Sequence, residues 1–160
     1  MQTFLPYADF RATALVLDRR RLGKQRVEAL QVLRGLVVPG YGWRHHPAVR
    51  MWAGYEEALV RYGLEVCKVW REQGHQDSCA TTMVADLLAF RPGASVRRQS
   101  ALANARELPP WLGDDAFHRS HQSALVRKEP KTYAALFSGV PPDLPYVWPA
   151  SDRGDDASGA

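Results

Sequence analysis

The 160-residue chain is 46% hydrophobic and 24% charged, proportions of a soluble globular domain able to bury a sizeable core. It has no apolar run near the roughly 20 residues a membrane helix needs, no secretory leader in residues 1–6, and only Cys67 and Cys79, too few for a disulfide scaffold; a cytoplasmic protein is expected. The net charge is +4, and of 21 cationic side chains 17 are arginine, with nine cations against Asp9, Asp18 and Glu28 in the first fifty residues; planar guanidinium groups suit phosphate, so an anionic partner is in view.

Taken in order, Asp9 caps a short helix with Phe10, Ala14 and Leu17 on one face. A second helix is expected from about 20 to 36, burying Val27, Leu30, Leu33 and Leu36, and ending in the segment between Gly35 and Gly42. Pro47 opens a long helix to about 72, with Val49, Trp52, Leu59, Val66 and Val69 inward; Gly54 and Gly63 are its weak points. Asp77 or Ser78 caps a helix reaching Phe90, which Pro92 stops. A weaker helical stretch covers about 96 to 107, Asp114 starts a helix to Lys128, and Pro130 opens a last short one with Tyr133, Leu136 and Phe137. Four prolines in 140–149 exclude a helix there and predict an extended strap whose Tyr146 and Trp148 dock on the body. With no period-2 pattern for a strand, the expectation is one all-α domain of about six helices over 1–150, followed by a disordered tail at 151–160 with no large apolar residue.

Three clusters carry chemistry. In Asp18-Arg19-Arg20-Arg21-Leu22-Gly23-Lys24-Gln25-Arg26-Val27-Glu28, helical spacing puts Arg21, Lys24, Gln25 and Glu28 on one side. That side is either a phosphate clamp with Glu28 as orienting or acid–base group, or a solvated basic face with internal ion pairs. In Tyr41-Gly42-Trp43-Arg44-His45-His46-Pro47, an aromatic, a cation and two imidazoles enter a helix N-terminus, where anions bind; the plainer reading is a Trp43 plug and a histidine cap. His118 and His121, one helical turn apart, offer donors to phosphate, beside Arg127 and Lys128. No third ligand accompanies either histidine pair, so no metal is expected. Cys67 falls on an inward helix face, and the stripe Trp52, Tyr55, Tyr62 and Trp70 reads as core.

The run Leu22-Gly23-Lys24-Gln25-Arg26-Val27-Glu28-Ala29-Leu30-Gln31-Val32-Leu33, followed by Tyr41-Gly42-Trp43-Arg44-His45-His46-Pro47, resembles the pyrimidine-dimer DNA glycosylase (endonuclease V) family, and more closely a bacterial branch of it. The likeness spans about residues 1–75, and 117–133 also looks like that branch. It implies a compact, mostly helical fold that kinks DNA and flips a nucleotide out of the stack, with no cofactor. It also implies attack of a free N-terminal α-amine on the sugar C1′ to form a Schiff base, assisted by an Arg-Glu pair on the first long helix. An α-amine, with a pKa of about 7.7–8, is partly neutral at physiological pH. Without gaps, the family's pair falls on Lys24-Gln25. Gln25 keeps the shape of glutamate but not its charge, and Glu28 lies one turn on. Gln2 is bulky enough for the initiator methionine to stay, which makes the Met1 amine the candidate nucleophile.

The resulting expectation is a monomeric glycosylase, with or without abasic-site lyase activity, acting on a damaged or modified base in duplex DNA. Its catalytic set is Met1, Lys24, Gln25, Glu28 and His46. Arg20, Arg21, Arg26, Trp43, Arg44, His45, His118, His121, Arg127 and Lys128 would contact nucleic acid. Two alternatives stand beside it: a non-catalytic DNA binder of the same fold, recognised by salt-sensitive binding without turnover, and a hydrolase of small nucleotides built on His45, His46, His118 and His121.

Overall fold

The computed structural model of the chain describes residues 1–154. Its elements run α1 (Phe10–Val16), α2 (Arg19–Val37), α3 (Pro47–Arg50), α4 (Glu56–Glu72), α5 (Cys79–Phe90), α6 (Gln99–Asn104), α7 (Asp115–Lys128) and α8 (Pro130–Tyr133), with no strand among the described residues. The all-α expectation agrees with this. The cap signals also sit where the sequence puts them: Asp9 accepts from Ala12 N and Asp114 from Phe117 N, and Pro47 and Pro130 open α3 and α8.

α4 is the central beam, packed against α1, α2, α5 and α6. Its buried face of Leu59, Tyr62, Val66 and Val69 meets Leu22, Ala29, Val32 and Leu33 of α2. The close crossing of α4 over α2 and α5 depends on Gly63, where an added Cβ would collide with the Met83 thioether and press on Ala29. Trp52, Phe10, Trp111 and Phe117 fill the far side of the core with edge-on and tilted ring contacts.

Two expectations are corrected. The single helix from Pro47 to about 72 is two helices, because the chain turns through 51–55. Gly54 takes φ +81° there, a left-handed conformation that suits glycine, and its N–H donates to Glu56 Oε1 at 2.9 Å. α2 is also rotated from the expected face: Val27 is exposed and Leu30 and Leu36 only partly buried, whereas the polar Gln25 and Glu28 are buried.

The reason is the N-terminal segment. Residues 2–5 are buried and lie unpaired with any strand over α2 and α7, so side chains must satisfy their backbone groups. The strap is extended and docked, as expected. The Ser120 and Ser123 hydroxyls accept from Val147 N and Leu144 N, and Arg127 donates to the Pro142 carbonyl. At its end Asp152 accepts from the Tyr55 hydroxyl at 2.6 Å, and Arg153 lies over the Tyr55 ring and pairs with Glu107. The expected disordered tail thus begins with four docked residues, and 155–160 lie outside the described residues. No helix among the described residues is long and apolar enough to cross a membrane.

Candidate active site

Gln25 is the anchor. Its Oε1 accepts from Phe4 N at 2.9 Å and from the Tyr62 hydroxyl at 2.7 Å, while its Nε2 donates to Gln2 O at 3.0 Å and to Glu28 Oε2 at 2.9 Å. All four hydrogen-bonding directions of a buried amide are in use. The single hydroxyl proton of Tyr62 is shared between Gln25 Oε1 and Phe4 O, and burial pushes its pKa up, so the group stays a neutral donor. A neutral amide can donate to backbone and carboxylate while accepting from N–H and O–H, which an ionised glutamate here could not do. Gln25 therefore clamps the N-terminal segment, and the carboxylate beside that segment belongs to Glu28.

Glu28 Oε2 accepts from Gln2 N at 3.3 Å and from Gln25, and its Oε1 faces Lys24 Nζ at 3.4 Å. Met1, Gln2, Phe4, Lys24, Gln25 and Glu28 line one wall of a cavity of about 330 Å3, the lower end of the size range of ligand sites. Arg20, Arg21, Lys128 and Tyr146 complete it. His46, from the loop before α3, senses the charges of Met1 and Glu28 without lining the cavity. Its pKa is lowered by burial and then by the Met1 ammonium, with Glu28 pulling the other way. Its Nδ1 accepts from Ala48 N, so the neutral ring caps α3.

Met1, Lys24, Gln25 and Glu28, singled out along 28 residues of sequence, thus share the cavity, while His46 lies outside its lining. Among the expected nucleic-acid contacts, Arg20 and Lys128 are exposed on the cavity rim, and Trp43, Arg44 and His45 are exposed on the loop carrying His46. The others are engaged within the protein. His118 and His121 are buried and hold the N-terminal backbone. Gly113 N donates to His118 Nε2, which leaves Nδ1–H to donate to Leu5 O, and Leu5 N donates to His121 Nδ1. Burial drives the His121 pKa down to about 3, so it is a neutral structural acceptor. Arg21 is engaged by Asp18, Arg26 by Asp77 beneath Trp70, and Arg127 by the strap carbonyls.

Sequence reasoning did not find Tyr62, Gln2 or Tyr146 as parts of the site. Tyr62 carried a core signature, and the others become visible only once the N-terminal segment and strap are in place. A second, shallower groove, lined by Arg19, Arg20, Gly23, Lys24, Arg26 and Trp70, shares Arg20 and Lys24 with the cavity, so cationic side chains continue along α2. Among the described residues no group of His, Cys, Asp and Glu is arranged to hold a metal ion.

Residues 1–83 match the family model described as pyrimidine dimer DNA glycosylase, more than half of the chain and all the elements that carry Met1, Lys24, Gln25, Glu28 and His46. No curated protein and no solved structure matches. The chain belongs to the pyrimidine dimer DNA glycosylase family.

Proposed function

We propose that the chain excises damaged pyrimidines from duplex DNA through the α-amine of Met1, with Glu28 as the acid–base group and an abasic-site lyase step following. The carrying observation is that an N-terminal segment held by Gln25 and Tyr62 ends in a cavity walled by Met1, Glu28 and Lys24. A neutral amine attacks C1′, and a C–N bond to Met1 forms as the glycosidic C1′–N bond breaks. The amine's proton passes to Glu28, and the departing pyrimidine anion takes a proton from water. Glu28 then returns its proton to O4′ as the sugar ring opens to a Schiff base. Abstraction of a C2′ proton expels the 3′ phosphate by β-elimination, and water hydrolyses the imine to restore the amine. Lys24 and Arg20, which line the cavity, meet flanking phosphates. His46, held neutral, adds no second cation beside the amine. Extruding a lesion costs less than extruding a paired base, a source of selectivity. The reading implies a monomer acting on DNA in the cytoplasm.

The test is borohydride trapping on ultraviolet-irradiated and abasic duplexes, with the α-amine blocked by selective acylation and with Glu28→Gln as controls. An adduct that disappears on blocking the amine supports the proposal. Salt-sensitive binding with neither adduct nor released base supports the non-catalytic DNA binder instead.

A further inference from the structure

The tryptophans divide by position. Trp52 and Trp111 are buried, as expected for the largest apolar side chain. Trp43 is 50% exposed and Trp148 39% exposed, and both pack edge-on against the His46 ring, with centroids 5.9 Å away. Trp148 also meets Tyr146 at 5.4 Å, and Tyr146 lines the cavity. An aromatic rim therefore runs from Tyr146 through Trp148 and His46 to Trp43, supplied by two segments distant in the chain. The cavity also carries the cations Arg20, Lys24 and Lys128, so the aromatic row joins the cationic lining at Tyr146. Aromatics beside cations are the makeup of sites that stack bases while neutralising phosphates.

We propose that Trp43 and Trp148 form a stacking platform for an unpaired nucleobase displaced beside the reacting nucleotide, which makes the C-terminal strap a specificity element of the enzyme. A base inside a duplex has both faces covered by its neighbours, so only one that has left the stack can present a face to an indole. The platform therefore selects DNA with an unpaired base over fully paired DNA, without reading sequence. Trp148 lies beyond the residues that match the family model. The inference rests on the DNA-directed reading above but not on its covalent chemistry.

The test uses the full chain with two otherwise identical duplexes, one fully paired and one carrying a single bulged 2-aminopurine. Anisotropy gives the affinity ratio, and 2-aminopurine fluorescence reports stacking. The wild type is expected to favour the bulged duplex and to quench its fluorescence. Trp43→Leu and Trp148→Leu should each lower that preference by about five- to hundredfold, the range for losing one base–aromatic stack, and relieve the quenching. Trp148→Phe, which keeps a ring, should retain most of both, which separates stacking from mere bulk. Equal affinity of the wild type for the two duplexes, or unchanged preference in both leucine variants, overturns the proposal. A borohydride adduct combined with unchanged preference removes the platform alone. Trp-dependent preference without an adduct supports the platform and removes the covalent mechanism.

Discussion

Replacing His121 with asparagine should remove most of the acid sensitivity of this fold. The imidazole is fully buried against Phe4, Phe117 and Tyr146 and accepts from Leu5 N; burial holds its pKa near 3, against 6.5 ordinarily, with His118 adding to the effect. The unfolded chain therefore takes up a proton below about pH 6.5 that the native state refuses, and stability falls as pH drops through that window. At pH 5.0 the difference is about 1.5 units on the unfolded side, or about 2 kcal/mol at roughly 1.36 kcal/mol per unit. The carboxylates with lowered pKa, Glu57 and Asp77, lose stability only below about pH 4.5 and do not intrude. The asparagine oxygen can replace Nδ1 as acceptor for Leu5 N and does not titrate. Urea unfolding at pH 7.0 and 5.0 should show a loss of about 2 kcal/mol in the wild type beyond that in His121→Asn; the smaller depression at His46 is common to both. An equal loss in the two proteins would show that His121 is not held neutral by burial and would refute the reasoning.

Other outcomes follow from the same contacts. Glu28→Gln should lower single-turnover excision by roughly 10²–10⁴-fold, the usual worth of a positioned acid–base group, without weakening DNA affinity measured by anisotropy. Gln25→Leu leaves Phe4 N and Gln2 O without their buried partner and should cost about 2–4 kcal/mol in chemical denaturation. Gln25→Glu, by placing a second carboxylate against Glu28 Oε2, should also destabilise and should not raise activity. Asp152→Ala removes the acceptor of the Tyr55 hydroxyl, whose pKa is pushed up to about 12 by burial and by Asp152; limited proteolysis should then cut the strap faster. Lys128→Ala should reduce the slope of log K against log salt by about one, as expected for one lost phosphate contact.

Much of the helical order was legible because the signals are local. Asp9, Asp114, Pro47 and Pro130 mark helix starts whatever the tertiary context, and four prolines forbid a helix in the strap. The orientation of α2 was not legible. A periodicity argument counts apolar residues and so turned Val27 inward, whereas the buried side must satisfy an unpaired N-terminal backbone, which Gln25 and Glu28 do. The same cause hid the roles of His118 and His121: two imidazoles at i, i+3 on a basic helix look like a surface pair until a strandless segment is laid across them. At the site, spacing on α2 grouped Lys24, Gln25 and Glu28 correctly. It could not say which side chain supplies the carboxylate, because that depends on which one the N-terminal segment reaches. Met1 and His46 were drawn in by motif; Met1 lines the cavity and His46 caps α3 outside that lining.

The anchoring of Leu5 by residues 113 and 116 positions further along the chain bears on the order of assembly. During synthesis the first five residues leave the ribosome long before α7 exists, and such long-range closure belongs to the late steps of folding. A nascent or truncated chain carries the amine of Met1 without the cradle that aims it. Under the proposed chemistry, the capacity to nick DNA arises only once α7 has been made and has closed over Leu5.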